Sequence, residues 1–131
     1  MPHLTLEYTS NLADTPPTPE LLLSAHRLLN AVAGIRIENC KSRWREVDEW
    51  VVGFGDSHSA FVHLEIRFLE GRGLEVQQAV GEGALGILKD HFLSNREGLD
   101  LQITVDVQEI RKATYFKYPP GTLGGPAVRL V

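Results

Sequence analysis

The sequence predicts a two-layer α/β sandwich, in which two tandem βαβ units form a four-stranded sheet with two helices on one face. Apolar and polar residues alternate near the start of the chain and again near its middle, as half-buried strands require. A helical pattern follows each of these segments, and the most regular alternation of all comes after the second helix. At 131 residues the chain can bury one core, so we expect a single domain.

The first βαβ unit is predicted to span about residues 2–52. Its first strand is His3 to Tyr8, where apolar side chains occupy every second position. Residues 18–20, Thr-Pro-Glu, predict a helix start, because they supply a capping hydroxyl, a proline at the first helical position and an acidic first turn. Gly34 predicts the helix end. The apolar stripe between them is Leu21, Leu22, Ala25, Leu28, Leu29 and Val32.

The second strand of this unit is expected within an extended segment from about residue 35 to 52. Both tryptophans, Trp44 and Trp50, fall in it and are expected to serve packing or subunit contact. The alternation places Cys40, Ser42 and Trp44 on the opposite face from Lys41, Arg43 and Arg45. The sequence GFGDSH then predicts a turn.

The second βαβ unit is predicted to span about residues 60–110. A strand from Phe61 to Phe68 leads through the turn EGRG into a helix from about Leu74 to Phe92. The last strand alternates from Leu99 to Val107. Three glycines within the helix are expected to permit close packing, namely Gly81, Gly83 and Gly86. Residues 111–131 are predicted to form an irregular arm, which lies on its own or on a neighbouring subunit.

Composition excludes several classes of protein. With 43% hydrophobic and 23% charged residues, the chain is typical of folded soluble proteins. It contains no apolar stretch of about eighteen residues and begins without a signal-peptide pattern, so we expect a cytoplasmic protein with no membrane contact. The single cysteine, Cys40, excludes an internal disulfide. A net charge of −4 and a pI of about 5.7 argue against nucleic-acid binding.

The usual catalytic motifs are absent, and the amino terminus is the remaining candidate. There is no GxGxxG, P-loop, CxxC, HExxH or GxSxG, and the histidines have poor spacing for a metal. If Met1 is removed, Pro2 carries a rigid secondary amine that can act as a base when its pKa is low enough. Burial and nearby cations both lower the pKa of an amine. On the residues alone, a chance Met-Pro start remains the alternative.

Four cations are candidates to lower this pKa and to bind an anion. Arg72 stands out, because Gly71 and Gly73 frame it in a turn that leads into a helix N-terminus, where an anion is favoured. The alternative for Arg72 is a solvated loop arginine. The other three candidates are Lys41, Arg43 and Arg45.

A resemblance strengthens this interpretation. MPHLTLEY, KSRWREVDEW, AFVHLEIRFLEGRGLEVQQAVGE, ILKDHF and YFK, in this order, resemble the 5-carboxymethyl-2-hydroxymuconate isomerase family of the tautomerase superfamily, over residues 1 to about 117. The resemblance implies a homotrimer, no cofactor, Pro2 as the acid/base catalyst and Arg72 as a ligand of substrate carboxylate. The family's Arg-Ser-Arg is Lys41-Ser42-Arg43 here, so Lys41 keeps the charge but lacks the bidentate fork of arginine.

The sequence and the resemblance together predict a cofactor-independent tautomerase. We expect it to shift a proton in an unsaturated dicarboxylic or tricarboxylic enol acid, such as 5-carboxymethyl-2-hydroxymuconate of aromatic catabolism. Pro2 would move the proton, while Arg72, Lys41 and Arg43 bind this small-molecule carboxylate substrate and stabilise the dienolate. The alternative is a non-catalytic trimeric binding or scaffold protein with the same fold. A nucleic-acid-binding sandwich is disfavoured by the acidic composition.

Overall fold

The computed structural model describes residues 1–95 and 98–120, and it contains four strands and two helices in the predicted order. Short 3₁₀ turns connect several of them. The elements are β1 (His3–Thr9), α1 (Pro19–Ala33), β2 (Lys41–Val47), β3 (Ser59–Leu69), α2 (Leu74–Phe92) and β4 (Asp100–Ile110).

The four strands form one mixed sheet in the order β2-β1-β3-β4. The pairs β1/β2 and β3/β4 are parallel, as the crossover helix of a βαβ unit requires, and the central pair β1/β3 is antiparallel. Leu6 pairs with Leu64 near the middle of that central pair. The predicted fold class of two βαβ units and two helices on one four-stranded sheet is therefore confirmed.

The core lies between the two helices and one face of the sheet. Every second residue of the central strands is buried there, while the paired residues on the other face are mostly polar. The buried strand side chains include Leu4, Leu6, Val62, Leu64, Ile66 and Phe68. Tightly packed helix residues such as Leu29 and Phe92 complete the core.

Local signals place α1 as the sequence predicts. The hydroxyl of Thr18 accepts a hydrogen bond from the backbone N–H of Leu21 at 3.1 Å, and Pro19 is the first helical residue. Gly34 ends the helix in the left-handed conformation, with φ of 67°, which a glycine adopts without strain. The ends of this helix fix where the loop toward β2 begins.

The predicted extent of the second strand is wrong. The extended segment from about residue 35 to 52 is interrupted by a 3₁₀ turn, Ile37–Asn39, so β2 occupies only Lys41–Val47. Trp50 consequently lies outside the strand. The 3₁₀ turn forms because the backbone N–H of Cys40 bonds to the carbonyl of Ile37 instead of to a neighbouring strand.

The predicted C-terminal arm is irregular in its described part but is not free. After a 3₁₀ turn at Lys112–Thr114, Tyr115 packs on the small cluster of Met1, Leu69 and Ile110. This contact returns the chain to its own amino terminus. Residues 121–131 of the predicted arm lie outside the described residues. None of the described helices has the length and apolar character needed to cross a membrane.

Candidate functional site

Pro2 lies immediately before the central strand β1 and is fully buried. Its carbonyl accepts a hydrogen bond from the backbone N–H of Lys41 at 3.1 Å, which continues the parallel pairing of β1 and β2. With Met1 attached, the nitrogen of Pro2 is part of a peptide bond and has no basicity. The fold therefore holds this nitrogen in a fixed place, and its chemistry depends on Met1.

A pocket of about 100 Å³ brings Pro2 and Arg72 together. We call it the first pocket. Its apolar wall comes from Ile35, Phe68 and Leu69. Cationic side chains line it as well, since Arg36, Arg72 and Lys112 all contribute to its surface. A partly apolar cavity with cations in its lining suits a small anion that carries a hydrocarbon part.

Arg72 is half-buried in the first pocket, so its side chain is not extended into solvent. Its Nε donates to the carbonyl of Ala33 at the end of α1, at 2.8 Å, and its guanidinium lies 5.5 Å from the ring centre of Phe68. These contacts orient the guanidinium. Gly71, with φ of 121°, permits the turn that directs this side chain inward.

A second pocket of about 560 Å³ lies on the other side of Met1. We call it the second pocket. His3, Lys41, Tyr115 and Lys117 line it. Met1 and Asn39 line both pockets. Met1 therefore lies between the first pocket, which Arg72 lines, and the second pocket, which Lys41 lines.

The amine of Met1 shows what this environment does to a basic nitrogen. It donates a hydrogen bond to the carbonyl of Asn39 at 2.8 Å. Burial lowers the pKa of this amine from 8.0 to about 6, and the positive charges of Lys41 and Lys117 contribute in the same direction. The amine of Met1 is therefore largely unprotonated at neutral pH.

Arg43 reaches the site through His3. Its Nη2 lies 2.8 Å from Nδ1 of His3, and because a guanidinium only donates, Nδ1 accepts and the ring proton resides on Nε2. That Nε2–H donates to the hydroxyl of Tyr115 at 3.0 Å. Burial lowers the pKa of His3, and Arg43 and Lys41 lower it further. Arg43 thus stands beside the second pocket and holds His3 neutral.

The predicted site residues fall into three positions. Pro2 and Arg72 share the first pocket, Lys41 lines the second, and Arg43 contacts a residue of the second. Arg45 is exposed on β2 opposite Glu7 and lines neither of these two pockets. Among the described residues, no group of three histidine, cysteine or acidic side chains could hold a metal ion.

Sequence reasoning missed two residues that the fold brings to the amino terminus. The Nζ of Lys117 lies 3.5 Å from Sδ of Met1, although 116 positions separate them, and Tyr115 packs on Met1. The only signal for them was the segment YFK, which carries the resemblance but indicates no position. Their place depends on the antiparallel pairing of β1 with β3, which puts the end of β4 near the start of β1 and which no local pattern predicts.

The comparison with known proteins settles the family. The sequence model of the 5-carboxymethyl-2-hydroxymuconate isomerase family matches residues 2–120. The chain belongs to this family. It is therefore an isomerase, as the resemblance implied.

Individual relatives of this isomerase family agree over most of the chain. The 5-carboxymethyl-2-hydroxymuconate Delta-isomerase of Escherichia coli is 28% identical over 117 residues, which cover 89% of this chain and 93% of that protein. The crystal structure of a 5-carboxymethyl-2-hydroxymuconate isomerase from Deinococcus radiodurans R1 is 32% identical, with a TM-score of 0.79 over 88% of this chain and 87% of that one.

The fold extends to more distant structures. A fused 4-OT protein, described as a wild type symmetric trimer, has a TM-score of 0.69 with this chain at 14% identity. The match covers 89% of this chain and 92% of that one. At this identity the likeness concerns the fold alone.

Proposed function

We propose that this isomerase shifts a proton in an unsaturated dicarboxylic or tricarboxylic enol acid, with the amine of Pro2 as the acid/base after removal of Met1. The observation that carries the proposal is the position of Pro2, which is fully buried and shares a pocket with Arg72. The neighbouring amine of Met1 indicates the effect of this environment, because burial lowers its pKa to about 6. A base that works near neutral pH needs a pKa in that region. We propose 5-carboxymethyl-2-hydroxymuconate as the substrate, because the relatives from Escherichia coli and Deinococcus radiodurans R1 are both named for it.

In the proposed mechanism one nitrogen moves one proton. The unprotonated amine of Pro2 removes a proton from the enol oxygen or an activated carbon, and a dienolate forms. The same nitrogen, now protonated, returns that proton to another carbon of the conjugated chain. Cations around the two pockets stabilise the negative charge between these steps.

Arg72 and Lys41 are the proposed anchors for substrate carboxylates. Arg72 is already oriented in the first pocket by its bond to Ala33, so it loses little side-chain freedom when an anion binds. Lys41 is exposed, and its Nζ donates to the carbonyl of Asn39 at 3.1 Å. Arg43 is proposed to support this end of the site through His3.

The experiment is a pH–rate profile on protein that mass spectrometry shows to lack Met1. Since the unprotonated amine is the reactive form, kcat/KM should rise with pH through an apparent pKa below the usual α-amino range of about 7.7–8.0. Burial and the charges of Lys41 and Lys117 lower the pKa of the Met1 amine, and we expect them to act on the amine of Pro2 in the same direction. A 2-hydroxymuconate-type substrate serves as the probe.

The control is the same protein with Met1 retained, in which the nitrogen of Pro2 is an amide. We expect this form to be inactive, whereas Pro2→Ala without Met1 should retain weak activity through its primary amine. Equal activity in the forms with and without Met1 would show that Pro2 is not the catalyst. Inactivity of both forms toward every diacid that they bind would support the binding-protein alternative.

We propose further that the protein assembles as a homotrimer in the cytoplasm. Support for the assembly comes from the two edge strands, β2 and β4, whose outer edges have no partner strand within the described residues. Exposed aromatic side chains add to it, since Phe116 is 87% and Tyr118 92% exposed. The fused 4-OT structure of the same fold is named a symmetric trimer.

A further inference from the structure

The side chain of Met1 occupies the space between the two pockets. It is 8% exposed and packs on Leu69, Ile110 and Tyr115. Its backbone is also fixed, because the amine donates to the carbonyl of Asn39. Since Met1 lines the first and the second pocket, removing it joins their volumes into one elongated site.

Lys117 lies at the far end of the Met1 side chain, where its hydrogen-bond acceptor is a sulfur atom. The residue is half-buried, and its Nζ lies 3.5 Å from Sδ of Met1. A thioether is a weak acceptor, and among the described residues no carboxylate lies within ion-pair distance of Lys117. Desolvating an ammonium without an anion is costly, so this position favours binding of a negative group.

Methionine itself indicates what fits here. Its side chain is unbranched and apolar, and it runs along apolar walls to a cation. A carbon chain that ends in a carboxylate would follow the same path and meet the ammonium of Lys117 with an oxygen in place of sulfur. The charge of Lys41 stands at the same pocket and adds to the attraction.

We infer that Lys117 binds a substrate carboxylate, and that removal of Met1 creates one site for an extended dicarboxylate between Arg72 and the pair Lys41 and Lys117. The inference rests on the proposed function, which requires the same removal of Met1. The inference adds Lys117 to the proposed site and gives the orientation of the bound dicarboxylate. One carboxylate lies at Arg72, the carbon chain passes the nitrogen of Pro2, and the other carboxylate lies at Lys117.

The test measures binding alone, by isothermal titration calorimetry on protein without Met1. The probes are adipate and hexanoate, which have equal chain length, two or one carboxylate and no double bond to isomerise. Lys117→Gln should weaken adipate about tenfold or more and bring it near hexanoate, because a charge-assisted contact is lost. Lys117→Arg keeps the charge and should restore most of the affinity.

Lys89→Gln is the matched control, because it removes a lysine charge from the exposed end of α2. It should leave adipate binding unchanged. The form with Met1 retained should bind adipate at least about tenfold more weakly than the form without it, since the side chain fills the path.

Three results would overturn the inference: adipate affinity that Lys117→Gln leaves unchanged, equal binding with and without Met1, and no adipate binding by the unaltered protein. Its failure is distinguishable from failure of the proposed function. Normal pH-dependent catalysis with unchanged binding in Lys117→Gln would refute the inference alone. Adipate binding that Lys117→Gln weakens, in protein without Met1 that isomerises no 2-hydroxymuconate-type substrate, would refute the role of Pro2 alone.

Discussion

At the scale of single residues, His3 has its proton placed by its neighbours. Arg43 can only donate, so the ring is a neutral acceptor at Nδ1 and a donor to Tyr115 at Nε2. Burial is the largest cause of its lowered pKa, and the positive charges of Arg43, Lys41 and Arg67 lower it further, as does the terminal amine when it is protonated. Protonation of His3 would remove the acceptor and set two positive groups together. The ring therefore links β2 to the C-terminal segment only while it is neutral.

We predict that part of the stability of the fold depends on this neutral ring. The folded-state pKa of His3 lies below its usual 6.5, so the unfolded chain takes up the proton first as pH falls. The contribution of neutral His3 to the free energy of unfolding is fully present above pH 6.5 and is lost as pH falls through its folded-state pKa. His3→Gln should flatten this part of the decline, because an amide accepts from Arg43 and donates to Tyr115 without titrating.

Urea unfolding of both proteins between about pH 7 and pH 5 measures this difference. The terminal amine and His26 also have lowered pKa values, so they too make the folded state less stable as pH falls. Both groups are present in both proteins, so the comparison isolates the effect of His3. Parallel stability curves for His3→Gln and the unaltered protein would contradict the prediction.

Arg72 should affect both binding and stability. Arg72→Ala removes a carboxylate partner worth about 1.5–3 kcal/mol, so we expect KM for a dicarboxylate substrate to rise about tenfold or more. It also removes the bond to Ala33 at the end of α1, which should cost about 1 kcal/mol in the free energy of unfolding. Lys41→Ala, at an exposed position, should raise KM by a similar or smaller factor.

Steady-state kinetics and urea unfolding test these effects together. Arg27→Ala is the control, because this arginine forms an exposed ion pair with Glu20 that is worth little. If neither Arg72→Ala nor Lys41→Ala altered diacid binding, both proposed anchors would be wrong.

At the scale of elements, the three glycines of α2 differ in purpose. A Cβ on Gly83 would lie 2.7 Å from Cδ1 of Leu28 on α1, so this residue sets how closely the helices approach. A Cβ on Gly81 would make an ordinary contact with Val107, and one on Gly86 would meet open space. The sequence predicts close packing for all three, and only Gly83 requires it.

We predict opposite outcomes for two alanine variants of α2. Gly86→Ala should stabilise the protein by about 0.5–1 kcal/mol, because alanine is the better helix former and nothing obstructs it. Gly83→Ala has the same intrinsic gain but must displace Leu28, so it should be less stable than Gly86→Ala by about 1 kcal/mol or more. Urea unfolding of the two variants compares them directly. Equal stabilisation would mean that Leu28 moves aside without cost.

The elements that local patterns define were predictable, and those that depend on partners were not. The cap at Thr18, the stop at Gly34 and the alternation of β3 each act within a few residues, and the structure confirms them. The extent of β2 depends on which residues β1 offers for pairing. Because β1 ends at Thr9, pairing ends at Val47, and no pattern near Trp50 indicates this.

At the scale of the whole molecule, the prediction concerns assembly. A trimer should give a mass in solution three times the 14.6 kDa of the chain, because the outer edges of β2 and β4, unpaired within residues 1–95 and 98–120, favour contact with further copies. Multi-angle light scattering at micromolar concentration measures this mass. A monomer under those conditions would refute the proposed assembly.

The residues of the candidate site also divide into those that short sequence patterns indicate and those that long-range contacts bring together. Pro2 and Arg72 could be predicted as candidates from the sequence, since a proline behind methionine and an arginine between glycines are visible locally. Lys117 was not, because its approach to Met1 needs the whole sheet to form and β4 to end beside the amino terminus. Charge composition could not find it either, since the chain as a whole is acidic.

The burial of Met1 also has a consequence for biosynthesis. An aminopeptidase needs a free, extended amino terminus, whereas the folded chain hides Met1 beneath Tyr115 and ties its amine to Asn39. Under the proposed function, the enzyme that removes Met1 would therefore compete with folding for the nascent chain. This competition stays open until β4 has left the ribosome, since Ile110 and Tyr115 cover Met1 only then. A molecule that folds untrimmed keeps its methionine for as long as it stays folded.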